Sequence, residues 1–200
     1  MSALALVITV ATAASAAPVF VMNSGFEASA LDDSQAIFSL VGWSNIGDSG
    51  TFDPDAAAFA AGAPEGENVA FSSWASPTIS QILSATAQAD TMYTLTMLVG
   101  NRLDAPFGGY QAELWAGGTM LGQDGSQQPA NGQFLLSTVQ YFVAAGDPAV
   151  GSALEIRFRS QGYQTVFDDV RLDAAERVPE PALLALLGLG GAAVARRQRR

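Results

Sequence analysis

The 200-residue chain contains no cysteine, no histidine and no lysine. Without cysteine, an exported domain has no disulfide staples and must be held by its core or by bound metal. Without histidine, the usual general base, Ser-His-Asp triads and ordinary zinc sites are excluded. Without lysine there is no Schiff-base chemistry. Catalysis would fall to carboxylates, tyrosines or the backbone. Positive charge is also scarce, nine arginines standing against 19 acids for a net charge of −10. Such a surface repels nucleic acid and anionic membrane. It suits a soluble exported protein in surroundings that supply divalent cations.

Long apolar runs are confined to the two ends. At the C-terminus, Val178-Pro179-Glu180-Pro181 precedes an uncharged stretch from Ala182 to Ala195, then Arg196-Arg197-Gln198-Arg199-Arg200. Fourteen residues make a helix of roughly 21 Å, short against a hydrocarbon core of about 30 Å. The prolines keep the preceding segment extended, and the arginines favour the cytoplasmic side. An ordinary short anchor is one reading. The order and terminal position of the three parts resemble the PEP-CTERM signal of Gram-negative bacteria. That resemblance implies an inner-membrane intermediate, processing by a membrane-embedded exosortase, and a final place at the cell surface or in the extracellular matrix. At the other end, Leu4 to Val10 and the small residues Ala11 to Ala17 read as a secretory signal, with cleavage expected after Ala16. No Lys or Arg precedes that apolar run, a departure from the usual pattern. The expected organisation is a signal peptide (1–16), one domain (17–177) and a sorting signal with an apolar helix (178–200). Within the domain five arginines face eighteen acids.

The domain has the periodicity of strands. Met92–Val99, Tyr110–Trp115 and Leu154–Arg159 alternate apolar with polar residues. Asn68–Ser72, Thr78–Leu83, Thr119–Gln123, Leu135–Val143 and Thr165–Leu172 are further candidates. Gly, Pro, Asn and Asp punctuate them, and Ser84 to Asp90 alone leaves room for a helical turn. About ten short strands predict an all-β, antiparallel two-sheet sandwich. Alternation along the last strand places Val166, Asp168, Val170 and Leu172 on one inward face.

Asn23-Ser24-Gly25-Phe26-Glu27, with Gly42-Trp43 beyond it, opens the domain, and Phe167-Asp168-Asp169-Val170-Arg171-Leu172 closes it. This pairing resembles the jelly-roll, carbohydrate-binding-module-like (galactose-binding-like) superfamily. The resemblance implies a structural calcium ion tying the chain ends together, with Glu27 and Asp168 or Asp169 as ligands and carbonyls near Asn23 contributing. Hard oxygen donors suit calcium. A solvated loop end in an acidic protein is the plain alternative. Gly50-Thr51-Phe52, Gly62 to Ala70, Ile79 to Leu83, Tyr93-Thr94-Leu95 and Val99-Gly100-Asn101-Arg102 are similar, in this order, to exported domains resembling the calcium-dependent cyclases of indole alkaloid pathways. In such a cyclase Asp168 or Asp169 would correspond to the pocket acid.

Sugar binding by a sandwich needs flat rings on which pyranose faces stack. Trp74, in a loop, is the first candidate; Trp115, Tyr110 and Tyr163 follow, with Asn101, Arg102 and Asp104 as polar contacts at the rim. Large aromatics in small sandwiches also serve the core, which is the expected place of Trp43. The acids Asp48, Asp53, Asp55, Glu65 and Glu67 read as solvated loops, and no opposed carboxylate pair of a glycosidase can be selected. The reading is a non-catalytic exported protein that binds or organises extracellular polysaccharide in the envelope or biofilm matrix. A structural or protein-interaction role and a cyclase-type enzyme are the alternatives.

Overall fold

A computed structural model of the chain describes residues 16–75 and 78–176. The expected signal peptide, apart from Ala16, the sorting residues Val178, Pro179, Glu180 and Pro181, and the apolar helix after them lie outside the described residues. Among the described residues there are twelve strands and no helix. These are β1 (Ala17–Val19), β2 (Ala36–Ile37), β3 (Ser44–Asn45), β4 (Ser49–Phe52), β5 (Val69–Ser73), β6 (Ile79–Thr86), β7 (Thr91–Asn101), β8 (Tyr110–Ala116), β9 (Thr119–Asp124), β10 (Gln133–Val143), β11 (Ala153–Ser160) and β12 (Gln164–Glu176). The segment open to a helical turn instead continues β6 to Thr86 before a loop and turn at 87–90.

All strand pairs are antiparallel, and they form the two sheets of a jelly-roll sandwich. One sheet runs β10-β7-β12-β5-β4-β2, with β1 beside β12; the other runs β3-β6-β11-β8-β9. Strict alternation drives the packing. Tyr93, Leu95, Met97 and Val99 of β7 meet Ala112 and Leu114 of β8 and Ile156 and Phe158 of β11 in one buried cluster. Each large side chain buried there contributes roughly 1.5–3 kcal/mol.

β12 is the central strand of the larger sheet, and it changes partner along its length. Its first residues pair with β5 (Val166↔Phe71) and its later ones with β1 (Leu172↔Val19), while β7 follows both parts on the other side. Between Asp168 and Arg171 the register with β7 shifts, and Asp169 adopts φ 48°. This is a β-bulge: one extra residue on β12 reverses the side-chain alternation beyond it. The expected common face of Val166, Asp168, Val170 and Leu172 is therefore corrected. Phe167, Val170 and Leu172 enter the core between the sheets, whereas Val166 joins a second cluster with Phe52, Phe59, Val69 and Phe71 on the outer face. Asp168 shares that outer side and is buried there by the loop carrying Glu65, whose N–H donates to its Oδ2 at 2.9 Å.

Candidate functional site

The second cluster floors a groove of about 230 Å³ on the outer face of the seven-stranded sheet. Phe52 of β4 and Phe71 and Ser73 of β5 lie along it, with Gln164 of β12 beside them. Ala36, Phe38, Asp48, Trp74, Arg102 and Tyr163 complete its walls. Three of the rings are open to solvent: Phe38 is 70% exposed, Trp74 57% and Tyr163 46%. Trp74 meets Tyr163 edge to face, with centroids 4.6 Å apart. Two backbone bonds hold this pair in place, Trp74 N–H to the Tyr163 carbonyl (3.0 Å) and Ala75 N–H to the Gly162 carbonyl (3.1 Å). Trp74 and Ala75 both have positive φ, at 57° and 33°. Left-handed backbone is costly for residues with bulky side chains and clusters at functional sites.

A polar strip crosses the same groove. Arg102 donates from Nε and Nη2 to the two carboxylate oxygens of Asp104 (2.8 and 2.6 Å) and from Nη1 to Gln164 Oε1 (2.8 Å). Its guanidinium lies 4.4 Å from the Phe52 ring centroid. Gln164 passes the chain on to Ser73 Oγ at 3.1 Å. Trp74, Tyr163 and Arg102, singled out separately in the sequence, thus share one surface. Phe38, Phe52, Phe71 and Asp48 were not anticipated there.

The other proposed ligand contacts lie elsewhere. Tyr110 is a correction: it is fully buried (0% exposed). Its hydroxyl donates to Asp124 Oδ2 at 2.5 Å and accepts the Gln127 N–H. Burial, followed by the bond to Asp124, pushes its pKa up to about 12. Burial alone would raise the pKa of Asp124, but donors from Ser137, Tyr110 and Ser126 outweigh it and hold Asp124 down at about 2. Trp115 sits on the opposite sheet. Its indole N–H donates to Glu113 Oε2 (2.6 Å), and the Arg157 guanidinium covers its ring at 4.0 Å. Asn101 is buried and braces the loop before β10, donating to the Pro129 carbonyl and Asn131 Oδ1. Neither Trp115 nor Asn101 lines the groove. Trp43 is core, packed against Phe26 and Phe158.

The residues proposed for calcium lie around the junction of the chain ends, each with its own partners. Asn23 and Phe26 take left-handed backbone (φ 48° and 64°), which turns Phe26 into the core against Trp43 and Phe158. The Ser24 carbonyl accepts the Val170 N–H beside the bulge. Glu27 accepts from the N–H groups of Glu67 and Asn68 (3.1 and 2.7 Å) and from Asn68 Nδ2 (3.3 Å), clasping the 63–68 loop. Asn23 is tied to the Ala28 N–H and the Val41 carbonyl. A Cβ on Gly25 would collide with the Glu65 carboxylate, and one on Gly66 with that of Glu27. Asp169 pairs with Arg171. Asp168 stands apart: it is fully buried, each oxygen takes one backbone N–H, and burial drives its pKa up to about 7. Neighbouring Glu65 adds to that rise. A third acidic place, around Asp32, Asp33, Asp53 and Glu67, lines a separate depression, where burial and then its like-charged neighbours raise the Asp53 pKa. Among the described residues, no three acidic side chains stand together as a ready metal-binding group.

A family model described as HpiC1 cyclase matches residues 17–173. The chain belongs to the HpiC1-like cyclase family. Its larger likenesses to solved structures agree. The Stig cyclase Fisc from Fischerella sp. TAU, in complex with (3Z)-3-(1-methyl-2-pyrrolidinylidene)-3H-indole, superimposes with a TM-score of 0.74 at 28% identity, over 82% of this chain and 100% of that one. An apo cyclase from Fischerella sp. gives 0.73 at 27% identity, over 82% and 98%. TmCBM61, in complex with β-1,4-galactotriose, gives 0.51 at 13% identity, over 77% and 97%, a likeness of fold alone. No curated protein matches the chain. Residues 177–200 match the PEP-CTERM protein-sorting motif. This HpiC1-like domain is therefore carried by an exported bacterial cell-surface protein, first anchored in the membrane and then processed by an exosortase.

Proposed function

We propose that this HpiC1-like protein is a non-catalytic binder of extracellular polysaccharide, with the outer groove as its docking site. The observation that carries the reading is the pairing of open rings (Trp74, Tyr163, Phe38) with a preorganised polar strip (Arg102, Gln164, Ser73) in one groove. Rings supply stacking surface for the apolar face of a pyranose, and fixed polar groups orient its hydroxyls. A sorting motif that delivers the protein to the cell surface fits such a ligand. Among the described residues Asp48 is the single carboxylate lining the groove, whereas glycoside hydrolysis uses two opposed ones. The test is affinity electrophoresis against the exopolysaccharide of the producing organism. Retardation that Trp74→Ala abolishes supports the reading; no retardation overturns it and leaves a structural or protein-interaction role.

Family membership favours a second reading, cyclisation of a small apolar substrate in the same groove. There Asp48 would be the acid, since Asp168 and Asp169 lie at the chain-end junction and do not line the groove. Turnover lost in Asp48→Asn with the fold intact would favour this reading over the first.

We also infer a structural calcium ion at the chain-end junction. The supporting observation is Asp168, a buried carboxylate with one donor per oxygen and no cation beside it among the described residues. Asp168 and Glu65 offer hard oxygen donors there, while Glu27 and Asn23 are engaged by the chain. Bound calcium would supply the missing positive charge. A ligand of the folded state must raise Tm, so chelator should lower it; an unchanged Tm removes calcium from the account.

A further inference from the structure

The groove has a distinct charge character. Among the described residues two charged ones line it, Arg102 and Asp48. Arg102 is already neutralised: both Asp104 oxygens hold its Nε and Nη2, Gln164 takes Nη1, and one face of its plane lies over Phe52. Asp48 is the reverse case. Its carbonyl accepts the Ser73 N–H, yet its carboxylate has no hydrogen-bond or ion-pair partner among the described residues. The rest of the rim is the exposed faces of Phe38, Trp74 and Tyr163. Among the described residues no other cation lines the groove, and the chain has no lysine or histidine. Arg157 and Arg159 belong to the opposite sheet, and Arg171 pairs with Asp169.

Aromatic faces and a free carboxylate both attract an ammonium group and both disfavour an anion. Building on the glycan reading above, we propose that the groove selects polysaccharide bearing free, protonated amino groups, with Asp48 as counter-ion to the amine and the Trp74–Tyr163 pair as its stacking platform. A uronate or sulfate would meet Asp48 with no uncommitted cation to receive it. A neutral sugar would stack on the rings and leave Asp48 unused.

Two oligosaccharides of one backbone isolate the amine: a tetramer of β-1,4-linked glucosamine and its fully N-acetylated counterpart. Binding of each to the full chain is measured by calorimetry at mildly acidic pH, where the sugar amines are protonated. The glucosamine tetramer should bind roughly five- to tenfold tighter, the scale of one cation–π contact plus one exposed ion pair. Asp48→Asn should lower that ratio to the roughly two- to fivefold that the cation–π contact supplies alone. Asp90→Asn, an exposed acid on the β6–β7 turn outside the groove, should preserve the ratio and so separates the site from the general acidity of the surface. Equal affinity for the two tetramers, or equal losses in the two variants, overturns amine selection while binding of the N-acetylated tetramer keeps the glycan reading. If neither tetramer binds, amine selection is overturned, and retention by the native exopolysaccharide decides the broader reading independently.

Discussion

The two sheets present opposite outer faces built from the same kinds of residue. On the five-stranded sheet, Glu155 pairs with Arg157 at 2.7 Å, Arg159 approaches Glu113 at 3.8 Å, and Trp115 is both hydrogen-bonded by Glu113 and covered by Arg157. On the seven-stranded sheet, Trp74 and Tyr163 are open, Arg102 is committed to Asp104, and neither Asp48 nor Asp168 has a cation partner among the described residues. A face whose charges and rings satisfy one another has little left to offer a ligand. A face that leaves a carboxylate and three rings unanswered is suited to take one, and it carries a stability cost where the unanswered acid is buried.

The largest expected effect tests that cost. Asp168, raised to about 7 from an ordinary 3.8, binds a proton more tightly in the folded chain than in the unfolded one. Stability should therefore fall as pH rises from about 4 to about 7, by on the order of a few kcal/mol. Asp124, at the edge of the other sheet, is lowered to about 2, and its contribution should be lost as pH falls from about 4 towards 2. In chelator, Tm should pass through a maximum between the two windows. Asp168→Asn should flatten the neutral side and leave the acid side standing, and calcium should flatten the neutral side of the unaltered chain. A neutral slope that survives Asp168→Asn assigns it to another group.

Much of this architecture was legible in the sequence, because alternation over six or more residues fixes a strand and its buried face. β6 to β12 appear within a few residues of where their patterns placed them. Tyr110 shows a signal that went unused: it alternates in phase with Ala112 and Leu114, the apolar side of β8, and so belongs to the core. The bulge left no such mark. Asp169 inserts one residue into an unbroken pattern, and the consequence for Asp168 follows from pairing with β7 rather than from local sequence. The groove was half visible. Trp74 stood out as a loop aromatic, but Asp48, Phe38 and Phe52 lie in or beside strands of two to four residues, too short to show a period. The cover over Trp115 that Trp74 lacks is long-range, set by Arg157 on a neighbouring strand.

A smaller effect should come from Tyr110→Phe. The substitution keeps the ring in the core but removes the donor to Asp124 and the acceptor for Gln127 N–H. Loss of a hydrogen bond to a charged group with a buried partner costs about 1–3 kcal/mol. Chemical denaturation at neutral pH should show that loss, and the acid-side slope should shrink because Asp124 keeps only its Ser137 and Ser126 donors. Unchanged stability would mean that water replaces the phenol and that the satisfied face is less closed than its bonds suggest.

The smallest effect compares the two tryptophans directly. Trp115→Ala removes a covered ring and uncovers Arg157, and should cost about 1–2 kcal/mol through lost packing and cation–π contact while leaving glycan retention intact. Trp74 already exposes most of its surface and holds φ at 57°, a conformation that glycine adopts without strain. Trp74→Gly should therefore be as stable as the unaltered chain or more so by up to about 1 kcal/mol, yet lose retention. A side chain whose removal stabilises the fold and abolishes binding is present for the ligand. Equal destabilisation by Trp74→Gly and Trp115→Ala would instead make both rings structural, and would erase the distinction between the two faces.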